Sequence, residues 1–120
     1  MKMYVCVLDS FPDHITPNLV GMSMLQHHIA YTNDEISPYL YKLWLETSRF
    51  TCVVKLTQHQ LESIAHRPDA VSSREFNIRS KEPTCVTLVV DEFIPELLKS
   101  AKCWKPDHTL LKQKIRQLRT

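Results

Sequence analysis

Met3–Leu8 reads Met-Tyr-Val-Cys-Val-Leu, an unbroken apolar run. A strand that alternates apolar and polar residues is buried on one face, whereas a continuous apolar run is typical of a strand covered on both faces. We therefore predict a central strand at this position. Similar runs at Phe50–Leu56 and Thr84–Val90 predict two further core strands, and the more polar segment Ala70–Ile78 predicts a short edge strand.

Helical patterns occupy the gaps between these runs. Thr16 and Ser37 are predicted N-cap residues, each followed by a proline in the first helical turn, and Thr57 has Gln60 at capping-box spacing. The predicted helices cover about residues 16–31, 38–47, 58–66, 94–102 and 107–119. In the first helix Leu19, Met22, Leu25 and Ile29, together with Met24 or His28, are predicted to form a broad apolar face at helical spacing.

Strands separated by helices indicate an α/β protein. We predict a three-layer α/β/α single domain over residues 1–104, with a small four-stranded mixed sheet that is mostly parallel. Residues 105–120 are predicted to form a C-terminal basic amphipathic helix. A chain of 120 residues is long enough to bury one core of ordinary size.

The positive charge is concentrated at the C-terminus. Residues 1–104 contain ten Lys or Arg and twelve Asp or Glu, whereas residues 105–120 contain five Lys or Arg and only one Asp. Leu111, Ile115 and Leu118 share one predicted stripe, which suits docking on the body or on a second subunit in a homodimer. The other predicted use is RNA-backbone binding, and a membrane surface is a third alternative. The predicted RNA-binding residues are Lys112, Lys114, Arg116 and Arg119.

Cysteine and targeting patterns predict a cytoplasmic protein. The four cysteines have no C-x-x-C spacing, and three lie inside apolar runs, so we predict small buried residues rather than pairs. No signal-peptide pattern is present, and no apolar run approaches the roughly 18 residues of a membrane span. We therefore expect no membrane association through a spanning helix.

The sequence predicts neither a cofactor nor a metal site. Gly21 is the only glycine, which excludes the glycine-rich Rossmann and Walker loops. Within a helix it serves either tight packing against a strand or the close approach of a ligand. His27 and His28 are adjacent and point about 100° apart on a helix, so they cannot ligate one metal ion together.

Three residues are candidates for catalysis: Asp9, His27 and His28. Asp9 directly follows the first strand, at the carboxyl end where α/β proteins usually bind ligands. The two histidines lie in the next helix and are its only titratable candidates for proton transfer. The alternative interpretation is a solvated loop for the aspartate and structural or surface positions for the histidines.

The order of elements and the first helix resemble the type II peptidyl-tRNA hydrolase-like superfamily. The family carries Gly-Lys-x-x-Ala-Gln-x-x-His-Ala where this chain has Gly21 to Ala30, and Gly21, Gln26 and Ala30 match. Val53-Val54-Lys55 and the strand-opening Thr84 are also similar to family segments. The resemblance covers roughly residues 3–104, and implies the α/β fold and ligand contacts at Gly21, Gln26 and Thr84.

The departures from this family bear on activity. Met22 and Ile29 stand where the family has its helix lysine and histidine, and the family's Asp-Ala-Gly-x-Thr-Gln loop is absent. Lys81 is the candidate replacement cation. The resemblance therefore implies a divergent member without the usual catalytic residues, acting as an RNA- or tRNA-binding module. The alternatives are an active peptidyl-tRNA ester hydrolase with replaced catalytic residues and a homodimeric protein-interaction module.

Overall fold

The computed structural model describes residues 1–73, 82–105 and 116–118. The elements are β1 (Lys2–Leu8), a 3-10 turn (Asp13–Ile15), α1 (Thr16–Thr32), α2 (Pro38–Glu46), β2 (Thr51–Leu56), α3 (Gln58–Ala65), β3 (Val71–Ser73), β4 (Cys85–Val90) and α4 (Glu96–Ser100). Residues 116–118 form one further helical turn. Phe76 and Ile78, predicted for the edge strand, lie outside the described residues, as does most of the predicted C-terminal helix.

The sheet has four strands in the order β2-β1-β4-β3. β1 pairs in parallel with β2 and antiparallel with β4, and β3 pairs antiparallel with β4. The predicted four-stranded mixed sheet is therefore confirmed, whereas the expectation of a mostly parallel sheet is wrong. Parallel pairing needs a long crossover connection, which α1 and α2 supply between β1 and β2. Apolar runs of similar length do not reveal that β4 runs the opposite way.

Both faces of the sheet are covered, as the predicted three-layer architecture requires. On one face Leu61 and Ile64 of α3 and Leu98 of α4 pack against β1, β2 and β4. On the other face Leu19 of α1, with Tyr41 and Trp44 of α2, packs against β1 and β4. Full burial of an apolar side chain stabilises the fold by about 1.5–3 kcal/mol. The five central residues of β1 and all six residues of β4 are buried, so these two strands dominate the core.

Helix α1 buries only part of the predicted apolar face, since Leu19 is buried and Met24 packs against the core while the larger outer residues do not. Its buried residues are Thr16, Leu19, Ser23, His27 and Ala30. Met22, Leu25 and Ile29 are instead exposed by 38%, 50% and 39%. Apolar spacing alone predicted that the larger side chains face the sheet. The face that is buried instead contains His27, which finds a hydrogen-bond partner on the sheet. An apolar stripe therefore remains on the outside of α1.

The three predicted N-caps have different outcomes. Thr57 is the N-cap of α3, and its reciprocal hydrogen bonds with Gln60 form the predicted capping box. Ser37 is the N-cap of α2 but makes no side-chain capping bond. Thr16 is the first residue of α1 rather than its cap, because its hydroxyl donates to the Pro12 carbonyl instead.

Two of the four cysteines form a disulfide bond, which contradicts the prediction that none is paired. Cys52 of β2 bonds to Cys103, with the Cα atoms 5.8 Å apart. The two residues are 51 positions apart in sequence, so no local spacing could indicate the pair. Cys6 and Cys85 are buried and take no part in a disulfide bond, as predicted. Burial, with Cys85 nearby, raises the pKa of the Cys6 thiol to about 12, which makes it a poor nucleophile.

Within the described residues, no helix has both the length and the apolar character needed to cross a membrane.

Candidate functional site

A basic groove lies at the carboxyl end of β2. Its cavity volume is about 600 Å³. The lining residues are Lys55, Ala101, Lys102, Cys103, Trp104 and Lys105. Half of these residues are lysines and one is a large aromatic residue. We call this feature the lysine–tryptophan groove.

Lys55 and Trp104 are held in place by a small network around Asp13. The Lys55 ammonium donates to the Phe11 carbonyl at 2.9 Å and lies 3.4 Å from the Asp13 carboxylate. The Trp104 indole N–H donates to the same carboxylate at 3.1 Å, and its ring centroid lies 5.9 Å from Lys55 Nζ. Asp13 therefore offsets the charge of Lys55 and fixes the orientation of the ring.

The segment that carries the other groove residues is attached to β2. The Trp104 backbone N–H donates to the Val53 carbonyl at 2.6 Å, and Cys103 forms a β-bridge with Val54. The Cys52–Cys103 bond adds a covalent link at the same place. Lys102 and Lys105 are exposed on either side of this attachment. The groove thus presents two solvated ammonium groups beside a fixed aromatic ring.

Asp9, the first predicted catalytic residue, lies in the loop after β1. Its backbone N–H donates to the Leu56 carbonyl at 2.8 Å, and the residue is exposed. It is thus at the carboxyl edge of the sheet, as predicted. In the described part of the chain, no hydrogen bond or ion pair links it to His27 or His28.

His27 is buried against the sheet. Its Nδ1 lies 2.7 Å from Thr87 Oγ1 of β4, and its ring centroid lies 4.8 Å from that of Tyr41. Burial lowers the pKa of His27 to about 4, so the imidazole is neutral at pH 7. These contacts give His27 a packing and hydrogen-bonding role between α1 and β4.

His28, the next residue of α1, is exposed, whereas His27 is buried. Its Nδ1 lies 3.0 Å from the Tyr41 hydroxyl, and its ring is near Tyr31. Burial, with Tyr31 nearby, raises the pKa of the Tyr41 phenol, so this hydroxyl is protonated at pH 7. Tyr41 therefore contacts both histidines, and the three residues form a histidine–tyrosine cluster between α1 and α2.

Three of the four predicted ligand-binding residues lie within the described structure. Gly21 is exposed on α1, and a Cβ atom added there would meet nothing within 4 Å, so tight packing against a strand is not its role. Gln26 is half-buried on the same helix. Thr84 is buried and its hydroxyl donates to the Ser73 carbonyl at 3.2 Å. Lys81 lies outside the described residues.

The predicted RNA-binding residues lie at or beyond the limit of the described chain. Arg116 is exposed in the helical turn at 116–118. Lys112, Lys114 and Arg119 lie outside the described residues.

Sequence reasoning missed the lysine–tryptophan groove. Lys102-Cys103-Trp104-Lys105 places two basic residues next to an aromatic one, a local signal for binding an anionic, aromatic ligand. The contribution of Lys55 could not be found this way, since it is brought to Trp104 only by the attachment of residues 103–104 to β2.

Metal binding finds no support in the described ranges 1–73, 82–105 and 116–118. They contain no group of three or more His, Cys, Asp or Glu side chains placed to hold a metal ion.

A scan against protein-family models and a search of curated proteins both give no match to this chain. The case for a function therefore rests on the chemistry of its own residues.

Proposed function

We propose that this protein is a divergent member of the type II peptidyl-tRNA hydrolase-like superfamily that binds RNA or tRNA. The observation that carries the proposal is the lysine–tryptophan groove at the carboxyl edge of the sheet. The element order from β1 to α4 is the order on which the family resemblance rests. This agreement supports the family assignment.

The groove has the two properties that single-stranded nucleic acids require. Ammonium groups bind the phosphate backbone, and an exposed aromatic face stacks on bases of any identity. Lys102 and Lys105 supply the charge and Trp104 the ring. The basic residues of 105–120 follow the groove directly along the chain, and Arg116 is exposed. An RNA strand seated in the groove can therefore continue along this tail.

The surface of α1 favours binding over hydrolysis. Met22 and Ile29, which replace the lysine and histidine of the family pattern, are both exposed apolar side chains. Neither can activate water or stabilise an oxyanion. The buried imidazole of His27, on the same helix, is already hydrogen-bonded to Thr87.

The charge contribution is tested by fluorescence anisotropy with a labelled single-stranded RNA and a tRNA over a range of salt concentrations. The double variant Lys102→Ala/Lys105→Ala and the triple variant Lys112→Ala/Arg116→Ala/Arg119→Ala are expected to bind more weakly. Each lost phosphate contact reduces the slope of log K against log salt by about 0.7 for a single strand. Lys42→Ala, on the outer face of α2, is the matched control and should bind like the wild type.

The stacking contribution is tested with two substitutions of Trp104. Trp104→Ala is expected to weaken RNA binding by about 1–3 kcal/mol, the usual value of one base–aromatic stack, whereas Trp104→Phe retains most of the affinity. Absence of RNA binding at low salt would refute the proposal, as would binding that none of these variants changes. Turnover of peptidyl-tRNA by the wild type would replace it with the hydrolase alternative.

A further inference from the structure

The outer face of α1 is an uncharged apolar surface. None of the residues of α1, Thr16–Thr32, is Asp, Glu, Lys or Arg. Met22, Leu25 and Ile29 follow one another at helical spacing and are all exposed. Gly21 lies beside them with open space above it, which allows another backbone to come close. A contiguous group of exposed large apolar side chains is typical of a surface that binds a partner, so we expect this face to be covered.

A second apolar stripe lies at the other end of the same chain. Leu111, Ile115 and Leu118 have helical spacing in the sequence, and they span the same number of residues as Met22 to Ile29. Of these three, Leu118 falls within the described residues, where it is 87% exposed. Each stripe extends over seven residue steps, or about 10 Å of helix, so the two match in length.

The C-terminal segment is attached at a position from which it can reach an α1 helix. Trp104 hydrogen-bonds to Asp13, which lies three residues before α1 begins. Fifteen residues follow Lys105. The helix that the sequence predicts over 107–119 would be about 20 Å long, against about 26 Å for α1. In the isolated chain Leu118 remains exposed, so its own α1 does not cover it.

We propose that the C-terminal segment of one copy docks its Leu111–Ile115–Leu118 stripe on the Met22–Leu25–Ile29 stripe of a second copy. The exchange is reciprocal, which gives a two-fold dimer with two identical interfaces. The stripe on α1 carries no charge, and the basic residues of the segment lie off its apolar stripe, so docking buries no unpaired cation. The dimer does not depend on the RNA-binding proposal, and it leaves those basic residues accessible.

The proposal is tested by sedimentation equilibrium of the full chain over a wide range of protein concentrations. We expect a dimer for the wild type and monomers for Leu25→Asp and for Leu118→Asp. Each substitution is expected to weaken the dimer by roughly tenfold or more, because a charge replaces a buried leucine. Phe93→Asp is the matched control, since Phe93 is 87% exposed, lies between β4 and α4 in the chain and belongs to neither stripe.

Mixing the two monomeric variants identifies which surfaces meet. The Leu25→Asp chain has an intact C-terminal stripe, and the Leu118→Asp chain has an intact α1 stripe. The mixture should therefore form a one-interface heterodimer that neither variant forms alone. A wild type that is monomeric at all concentrations would overturn the proposal. A C-terminal segment that folds back on the α1 of its own chain would give this result. So would a dimer that survives in either single variant whose circular dichroism shows a native fold.

Discussion

His27 is neutral because its environment offers the imidazole a hydrogen bond but little water. The Thr87 hydroxyl donates to the Val71 carbonyl at 3.3 Å, so its oxygen is left to accept from the His27 Nδ1–H. This network assigns the proton of the neutral ring to Nδ1. A charged ring would lose hydration without gaining an opposite charge, and for that reason its pKa falls to about 4.

This pKa predicts that acid destabilises the fold through His27. The unfolded chain takes up the proton near pH 6.5 and the folded chain only near pH 4, so stability falls as the pH drops through this window. A shift of this size corresponds to about 3 kcal/mol. Urea unfolding between pH 7 and pH 4 should show a shallower loss for His27→Gln than for the wild type. His59→Gln, an exposed histidine of α3, is the control and should lose stability as the wild type does.

If the free energy of unfolding fell equally with pH in His27→Gln and in the wild type, the lowered pKa of His27 would be contradicted. The sequence identified His27 as a candidate but could not give its role, since Thr87 lies 60 residues away. Adjacent histidines on a helix face different surroundings, and the rotation of α1 decides which of them is buried.

Helices α1 and α2 both end without a glycine. Asp34 and Arg49, just beyond their last turns, have φ values of 57° and 50°. Glycine is the usual residue in this left-handed region, because a Cβ atom there crowds the following backbone. The backbone N–H groups of Glu35 and Arg49 nevertheless donate to carbonyls of the last helical turns, so both helices terminate in an ordered way.

Asp34 offers a clean test of this backbone strain. Asp34→Gly is expected to be more stable than Asp34→Ala by about 1 kcal/mol, because both variants lose the carboxylate but only alanine keeps a Cβ atom at positive φ. Thermal or chemical denaturation measures the difference. Equal stability of the two variants would show that the position does not hold a positive φ.

Local sequence patterns predicted where the helices and strands lie, but not which face of each helix packs on the sheet. The Thr57–Gln60 capping box was readable because both partners lie within one turn. The buried face of α1 could not be predicted in the same way. Hydrophobicity assigns Met22, Leu25 and Ile29 to the core, whereas the face that packs on the sheet contains the smaller or more polar Ser23 and His27. A partner covering the outer stripe would reconcile the apolar composition of α1 with its orientation.

For the molecule as a whole, the Cys52–Cys103 bond restricts the unfolded chain. Its partners are 51 residues apart, and closing a loop of this length stabilises the fold by about 4 kcal/mol in the chain-entropy model. Reductant should lower the unfolding free energy of the wild type and leave the Cys52→Ser/Cys103→Ser variant unchanged. The bond would be contradicted by a wild type whose free energy of unfolding is the same with and without reductant. In that case a non-reducing peptide map would show Cys52 and Cys103 in separate peptides.

The three-layer architecture followed from the sequence because continuous apolar runs can be buried only between two layers of helices. The direction of β4, the disulfide bond and the lysine–tryptophan groove did not follow, because each depends on residues that meet only after folding. Lys55 and Trp104 are 49 residues apart, and no periodicity links them.

The attachment of residues 103–104 to β2 also affects how the molecule behaves among its own copies. β2 and β3 are the outer strands of the sheet, where unpaired backbone groups can recruit strands from other molecules. The described part of β3 has three residues. β2 is longer, but the bridge at Cys103 and the Trp104 N–H occupy part of its open side. The bond between Cys52 and Cys103 holds this covering segment against β2, so we expect its reduction to favour aggregation through the edge of β2 as well as unfolding.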